Sequence, residues 1–109
     1  MASTVGLRYD KGFVKSTNAQ LDVRVLGFKP TRLVVRNNTN NVMMEWMEGL
    51  PDGAFWKTAA DGTRTVASSG APTQLEGDSL NPPGFSLPAG VADINDAVGE
   101  DLWWEAWGQ

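Results

Sequence analysis

The chain has 109 residues, 41% of them hydrophobic, with nine Lys and Arg against thirteen Asp and Glu for a net charge of −4. Cysteine and histidine are both absent, which excludes disulfides, thiolate metal sites, the commonest general base and the usual near-neutral pH switch. The length fits one domain with a modest core, and no apolar run approaches the ~20 residues needed to span a bilayer.

Met1-Ala2-Ser3-Thr4 has no charged region followed by an apolar stretch, so the expected product is made and at first kept in a reducing cytoplasm. Charge is unevenly spread. Every base lies at or before Arg64, whereas seven acids and no base follow from Thr65 onward. That arrangement argues against a nucleic-acid binder, which needs clustered Lys and Arg. It leaves two alternatives open. Either the chain is bipolar and packs against a complementary surface, or the two sets of charges interleave in the fold.

Thr4 to Tyr9 reads as a weak strand or an extended arm, with Asp10-Lys11-Gly12 as a turn and Phe13-Val14-Lys15 as a second short piece. Residues 1–18 are therefore expected to be an arm or first short strands, and residues 19–109 the main domain. From Gln20 to Leu26 the chain alternates, with Leu21, Val23 and Val25 on one face. Arg32 to Arg36 is a β-branched strand, and Asn37 to Asn41 supplies a hairpin loop because Asn tolerates positive φ. The return strand, Val42 to Glu48, should turn Val42, Met44 and Trp46 to the core and Met43, Glu45 and Met47 outward.

Pro51-Asp52-Gly53 and Asp61-Gly62 mark turns around a strand at Ala54–Thr58. Strands are expected at Thr63–Ala67, Thr73–Asp78 and Phe85–Leu87, and Ala89–Val98 is the one candidate helical turn, with Val91, Ile94 and Val98 on one side. The chain closes on Asp101-Leu102-Trp103-Trp104-Glu105-Ala106-Trp107-Gly108. As a strand this run puts Leu102, Trp104 and Ala106 on one face and Trp103, Glu105 and Trp107 on the other. Large aromatics on both faces predict a central strand, with Trp104 meeting Trp46 in the core and Trp103 and Trp107 facing another surface. With no base after Arg64, that surface is expected to be rimmed by acids and to call for a partner ringed by Lys or Arg.

Seven to nine short strands separated by turn chemistry predict an all-β, single-domain antiparallel sandwich or jelly roll. No catalytic, cofactor-binding or metal-ligating set emerges. Asp78, Asp93, Asp96, Glu100 and Asp101 offer oxygen ligands for calcium, but their spacing fits no ion loop and an acidic rim explains them. Glu45 and Glu105 are the conceivable glycosidase pair, yet alternation puts both on outer faces without a cleft. Trp56, Trp103 and Trp107 suit either sugar stacking or packing within the core or between subunits. Asn37-Asn38-Thr39 matches a glycosylation acceptor and is read here as hairpin chemistry. Met43 and Met47 suit either an adaptable partner surface or cover by a second sheet layer.

Gly27-Phe28-Lys29-Pro30, Arg32 to Thr39, Glu45-Trp46-Met47-Glu48-Gly49 and Lys57 to Arg64 together resemble a group of small tailed-bacteriophage virion proteins. The resemblance continues at Gly84 to Leu87, Ile94-Asn95 and Trp104 to Trp107, and covers the chain from about Gly27 onward. It implies a standalone β domain on the virion, made in the host cytoplasm, that decorates the capsid shell or belongs to tail or fibre parts. It carries no catalytic residues. The expectation is a non-enzymatic decoration or cement protein, a homo-oligomer on the major capsid protein, with no nucleic-acid or membrane partner and no cofactor. A glycan-binding fibre domain is the alternative. The expected contact residues are Val5, Leu7, Tyr9, Met43, Met47, Trp103 and Trp107.

Overall fold

The computed structural model of the chain describes residues 8–24 and 27–108. Among these, nine strands form two antiparallel sheets: β1 (Arg8–Thr17), β2 (Leu21–Val23), β3 (Pro30–Asn37), β4 (Val42–Met47), β5 (Phe55–Thr58), β6 (Arg64–Ala67), β7 (Thr73–Leu75), β8 (Gly84–Leu87) and β9 (Val98–Gly108). The larger sheet runs β1-β9-β3-β4-β5-β6 and the smaller β2-β8-β7. The fold is all-β and consistent with a sandwich.

The core lies between the sheets. Leu33, Val35, Val42, Met44, Phe55, Leu102, Trp104 and Ala106 of the large sheet meet Val23, Phe85 and Leu87 of the small one, with Ile94 closing one end. The alternation read for β4 and β9 holds: Val42 and Met44 are buried, Trp46 is half-buried against the core, and Leu102, Trp104 and Ala106 are buried. The ring that meets Trp104 is that of Phe85, edge-on at 5.6 Å between centroids. Trp46 does not sit opposite Trp104. It pairs through Leu33 with Ala106, one step along the same face.

Residues 8–17 form one strand, with no turn at Asp10-Lys11-Gly12. Tertiary packing decides this, because Gly12 sits opposite Trp104 and a Cβ there would lie 2.7 Å from its indole Cζ2. The glycine makes room for a ring instead of bending the chain. Gly84 in β8 makes room for backbone, since a Cβ there would collide with the Val23 carbonyl oxygen of β2.

Ala89 to Val98 contains no helix. Asp93 takes a φ of 62°, and a single bridge joins Val91 to Asn95. The reason is Asn95, which is fully buried. Its Oδ1 accepts from the backbone N–H groups of Thr17 (2.9 Å) and Asn18 (3.2 Å), and its Nδ2 donates to the carbonyls of Ala19 (2.8 Å) and Pro88 (3.1 Å). This loop is shaped around an amide that ties the end of β1 to the end of β8. Val25, expected on the β2 face, lies outside the described residues. No helix among the described residues is long and apolar enough to cross a membrane.

Asn95→Ala removes partners from four backbone groups. An orphaned buried polar group costs about 1–3 kcal/mol, and the exposed Thr17–Ala19 turn admits water to some of these. The expected loss is about 2–3 kcal/mol by urea unfolding, with an unchanged slope.

Candidate functional site

One face of the large sheet is covered by the small sheet; the other has no layer over it among the described residues. Register places the outward side chains in rows. Tyr9, Trp107, Arg32 and Met47 form the first; Lys11, Glu105, Val34, Glu45, Trp56 and Val66 the second; Phe13, Trp103, Arg36, Met43, Thr58 and Arg64 the third. Lys15 and Asp101 continue the pattern and are ion-paired.

Neighbouring strands, ~4.8 Å apart, bring these side chains into contact. Tyr9 packs against Trp107 at 5.2 Å between centroids and Phe13 against Trp103 at 6.0 Å, both ring pairs tilted. The Arg32 guanidinium lies over the Trp107 ring at 4.4 Å and that of Arg64 over Trp56 at 5.2 Å, cation–π contacts that brace the two indoles. Glu45 receives both arginines, at 3.8 Å from Arg32 and 3.4 Å from Arg64. Phe13 is nevertheless 71% exposed, Trp103 56% and Tyr9 48%. These three are aromatic surface that the fold leaves in water, and such clusters mark interaction sites.

A half-open groove of about 720 Å³ runs across the middle of this face, with Lys11, Phe13, Val34, Arg36, Met43, Trp103 and Glu105 among its lining. Tyr9 stands at its rim and donates its hydroxyl to Glu105 Oε2 at 2.6 Å. That bond, then desolvation, then the negative charges of Glu105 and Asp10 raise the Tyr9 phenol above its ordinary value.

Of the sequence-predicted contact residues, Tyr9, Met43, Met47, Trp103 and Trp107 share this face; Val5 and Leu7 lie outside the described residues. The second sheet covers the opposite side, so it does not mask Met43 and Met47. The expectation of an acidic rim is overturned. The acidic β9 lies between β1 and β3, and these contribute Lys11, Lys15, Arg32 and Arg36 around the tryptophans. The charges interleave: Lys15–Asp101, Lys29–Glu76 and Lys57–Asp93 each join a base from the first half to an acid from the second.

Sequence reading missed Phe13, Lys11 and Arg36. For Lys11 and Phe13 the signal was present as the alternation Tyr9, Lys11, Phe13, Lys15, hidden by taking Gly12 for a turn residue. The C-terminal acids are spread out. Asp78 accepts from the backbone of Leu80 and Asn81, which lowers its pKa, and Glu100 accepts from Asn37 and Asn40. No group of three possible metal ligands gathers among the described residues. Glu45 and Glu105 flank Val34 two strands apart, each already engaged.

The fold and this face define a β domain that presents an aromatic, base-bearing sheet surface. No family model, curated protein or solved structure matches the chain.

Tyr9 is the one tyrosine, so its ionisation can be followed by ultraviolet absorbance. The midpoint is expected above 10.0 and should fall in Glu105→Gln. The sign for stability follows from the raised value. The contribution is complete below the ordinary tyrosine value and is lost as pH rises through the folded one.

Proposed function

We propose that this chain is a virion structural protein that decorates the outer surface of a bacteriophage capsid and stabilises it by non-covalent contacts, docking through the outer face of its large sheet. The observation that carries this reading is the exposed cluster of Tyr9, Phe13 and Trp103 on a sheet face with no layer over it. Indoles and phenols at the centre of a docking surface supply most of its energy, because they bury large apolar area with few rotatable bonds. The resemblance of the hairpin and terminal strand to small phage virion proteins supplies the setting. A cement protein needs little more chemistry than this. Modest contacts repeated over a lattice, and a homo-oligomeric unit engaging several capsomers at once, multiply into strong attachment.

The expected outcome is that purified protein co-sediments with expanded capsids that lack it and raises their resistance to heat. Trp103→Ala should weaken that binding by about 30-fold, the size expected of a central aromatic anchor. If the wild-type protein leaves such capsids bare, the proposal is wrong.

The groove favours a second reading, a receptor- or glycan-binding domain on a tail or head fibre. Trp103 and Phe13 beside Lys11, Arg36 and Asn38 combine a stacking surface with polar groups of the kind that hold a sugar ring. On a glycan array this reading expects binding that disappears in Trp103→Ala, whereas a decoration protein gives none. Copy number in the virion separates the two, hundreds for a shell protein and dozens or fewer for a fibre.

A further inference from the structure

The outer sheet face carries a charge balance opposite to that of the chain as a whole. Of nine bases and thirteen acids, five bases (Lys11, Lys15, Arg32, Arg36, Arg64) and three acids (Glu45, Asp101, Glu105) point from this face. The rest of the molecule holds four bases and ten acids. A net-positive aromatic surface is thus set on a net-negative body.

Internal pairing accounts for most of those charges. Lys15 engages Asp101, Arg32 and Arg64 share Glu45, and the Tyr9 hydroxyl binds Glu105. Lys11 and Arg36 remain, and among the described residues neither is ion-paired. Both line the same groove, together with Glu105, which lies across from Lys11 and accepts the Tyr9 hydroxyl, so two cations face one engaged carboxylate there. Arg36 lies across from Trp103, which lies across from Phe13, and Lys11 is two residues from Phe13 on β1. Their backbones are therefore about 12 Å apart diagonally, a span that two long cationic side chains can close around one carboxylate.

We infer that the groove receives an acidic segment of a partner protein, one carboxylate seated between Lys11 and Arg36 and an apolar side chain of the same segment laid on Phe13 and Trp103. The inference rests on the proposed docking role of this face and names the chemistry of what docks there. Two unpaired cations beside aromatic walls discriminate strongly, because an uncharged or basic segment would leave them desolvated and unpaired. A single-stranded nucleic acid fits less well. It would find the stacking rings, but only two unengaged cations for a backbone that carries a charge at every nucleotide. A second copy of the chain has acidic surface to offer, but a head-to-tail contact of that kind grows open arrays unless its rotation closes a ring.

The test uses the full chain, capsids that lack it, and the variant K11E/R36E, whose two side chains are solvent-facing. Because Lys11 lies across from Glu105, a small loss of thermal stability is expected, and binding is measured well below the unfolding midpoint of the variant. R24E/K29E is the control, since it makes the same charge change away from the face. Co-sedimentation of K11E/R36E should be weaker by about tenfold or more, with the control within about threefold of wild type. Raising salt from about 0.05 to about 0.3 M should weaken wild type far more than K11E/R36E. Wild-type binding that K11E/R36E matches, or that the control loses equally, overturns this inference alone; capsids left bare by wild type overturn it together with the decoration role. Tight binding of an oligothymidylate by wild type, lost in K11E/R36E, would assign the groove to single-stranded nucleic acid instead. Self-association in the ultracentrifuge that K11E/R36E abolishes would assign it to a second copy.

Discussion

The structure depends on β9 being hydrogen-bonded on both sides, to β1 along one edge and to β3 along the other. The β1–β9 ladder runs from Arg8 opposite Gly108 to Thr17 opposite Val98, and the β3–β9 ladder from Pro30 opposite Gly108 to Asn37 opposite Leu102. Both close long loops, and the first joins nearly the two ends of the chain. A strand paired on both edges has its register fixed twice, and a slip of one residue would exchange Leu102, Trp104 and Ala106 for Trp103, Glu105 and Trp107. Burying the second set would desolvate a carboxylate. Register is therefore specified by the cost of the alternative as much as by the fit of the observed one.

That register also divides the aromatic residues by role. Trp104 is buried on Phe85 over the space left by Gly12, and so belongs to the core. Trp107 and Trp56 lie under arginines and are half-buried. Phe13 and Trp103 stack on one another and stay in water. The same residue type is structural, braced or exposed according to its strand position and its neighbour. The braced rings matter to the exposed ones. Indoles braced by guanidinium groups, as Trp107 and Trp56 are, lose little freedom on binding, so more of their contact energy appears as affinity.

Much of the architecture was legible in the sequence where a single strand or hairpin carried the whole signal. The β3–β4 hairpin was visible because Asn37 to Asn41 supply turn chemistry and the return strand alternates, and Asn41 does take a positive φ of 57°. The central place of β9 was visible because a strand with Trp on both faces makes a poor edge. Readings failed where a distant residue decided the local conformation. Gly12 resembles a turn residue until Trp104 lies across it. Val91, Ile94 and Val98 have helical spacing, yet Asn95 anchors backbone groups in two other segments, the Thr17–Ala19 turn and Pro88, and no helix survives there. In the candidate site, the tryptophans and methionines could be placed from alternation; Lys11 and Phe13 alternate as well but were lost when Gly12 was taken for a turn residue, and the pairing of Arg36 with Trp103 leaves no local trace.

The sequence by itself determined which side chains share a face along each strand, since a period of two is a property of the extended backbone. It also determined that no thiol or imidazole chemistry is available. Only the tertiary structure decided which strands lie side by side, because pairing between the two ends of a chain leaves no periodic trace within either. That choice set the chemistry of the surface. The acidic β9, read alone, presents tryptophans among carboxylates; between β1 and β3 it presents them among lysines and arginines. Electrostatic character is a sum over spatial neighbours, and for this face the neighbours come from the opposite half of the chain.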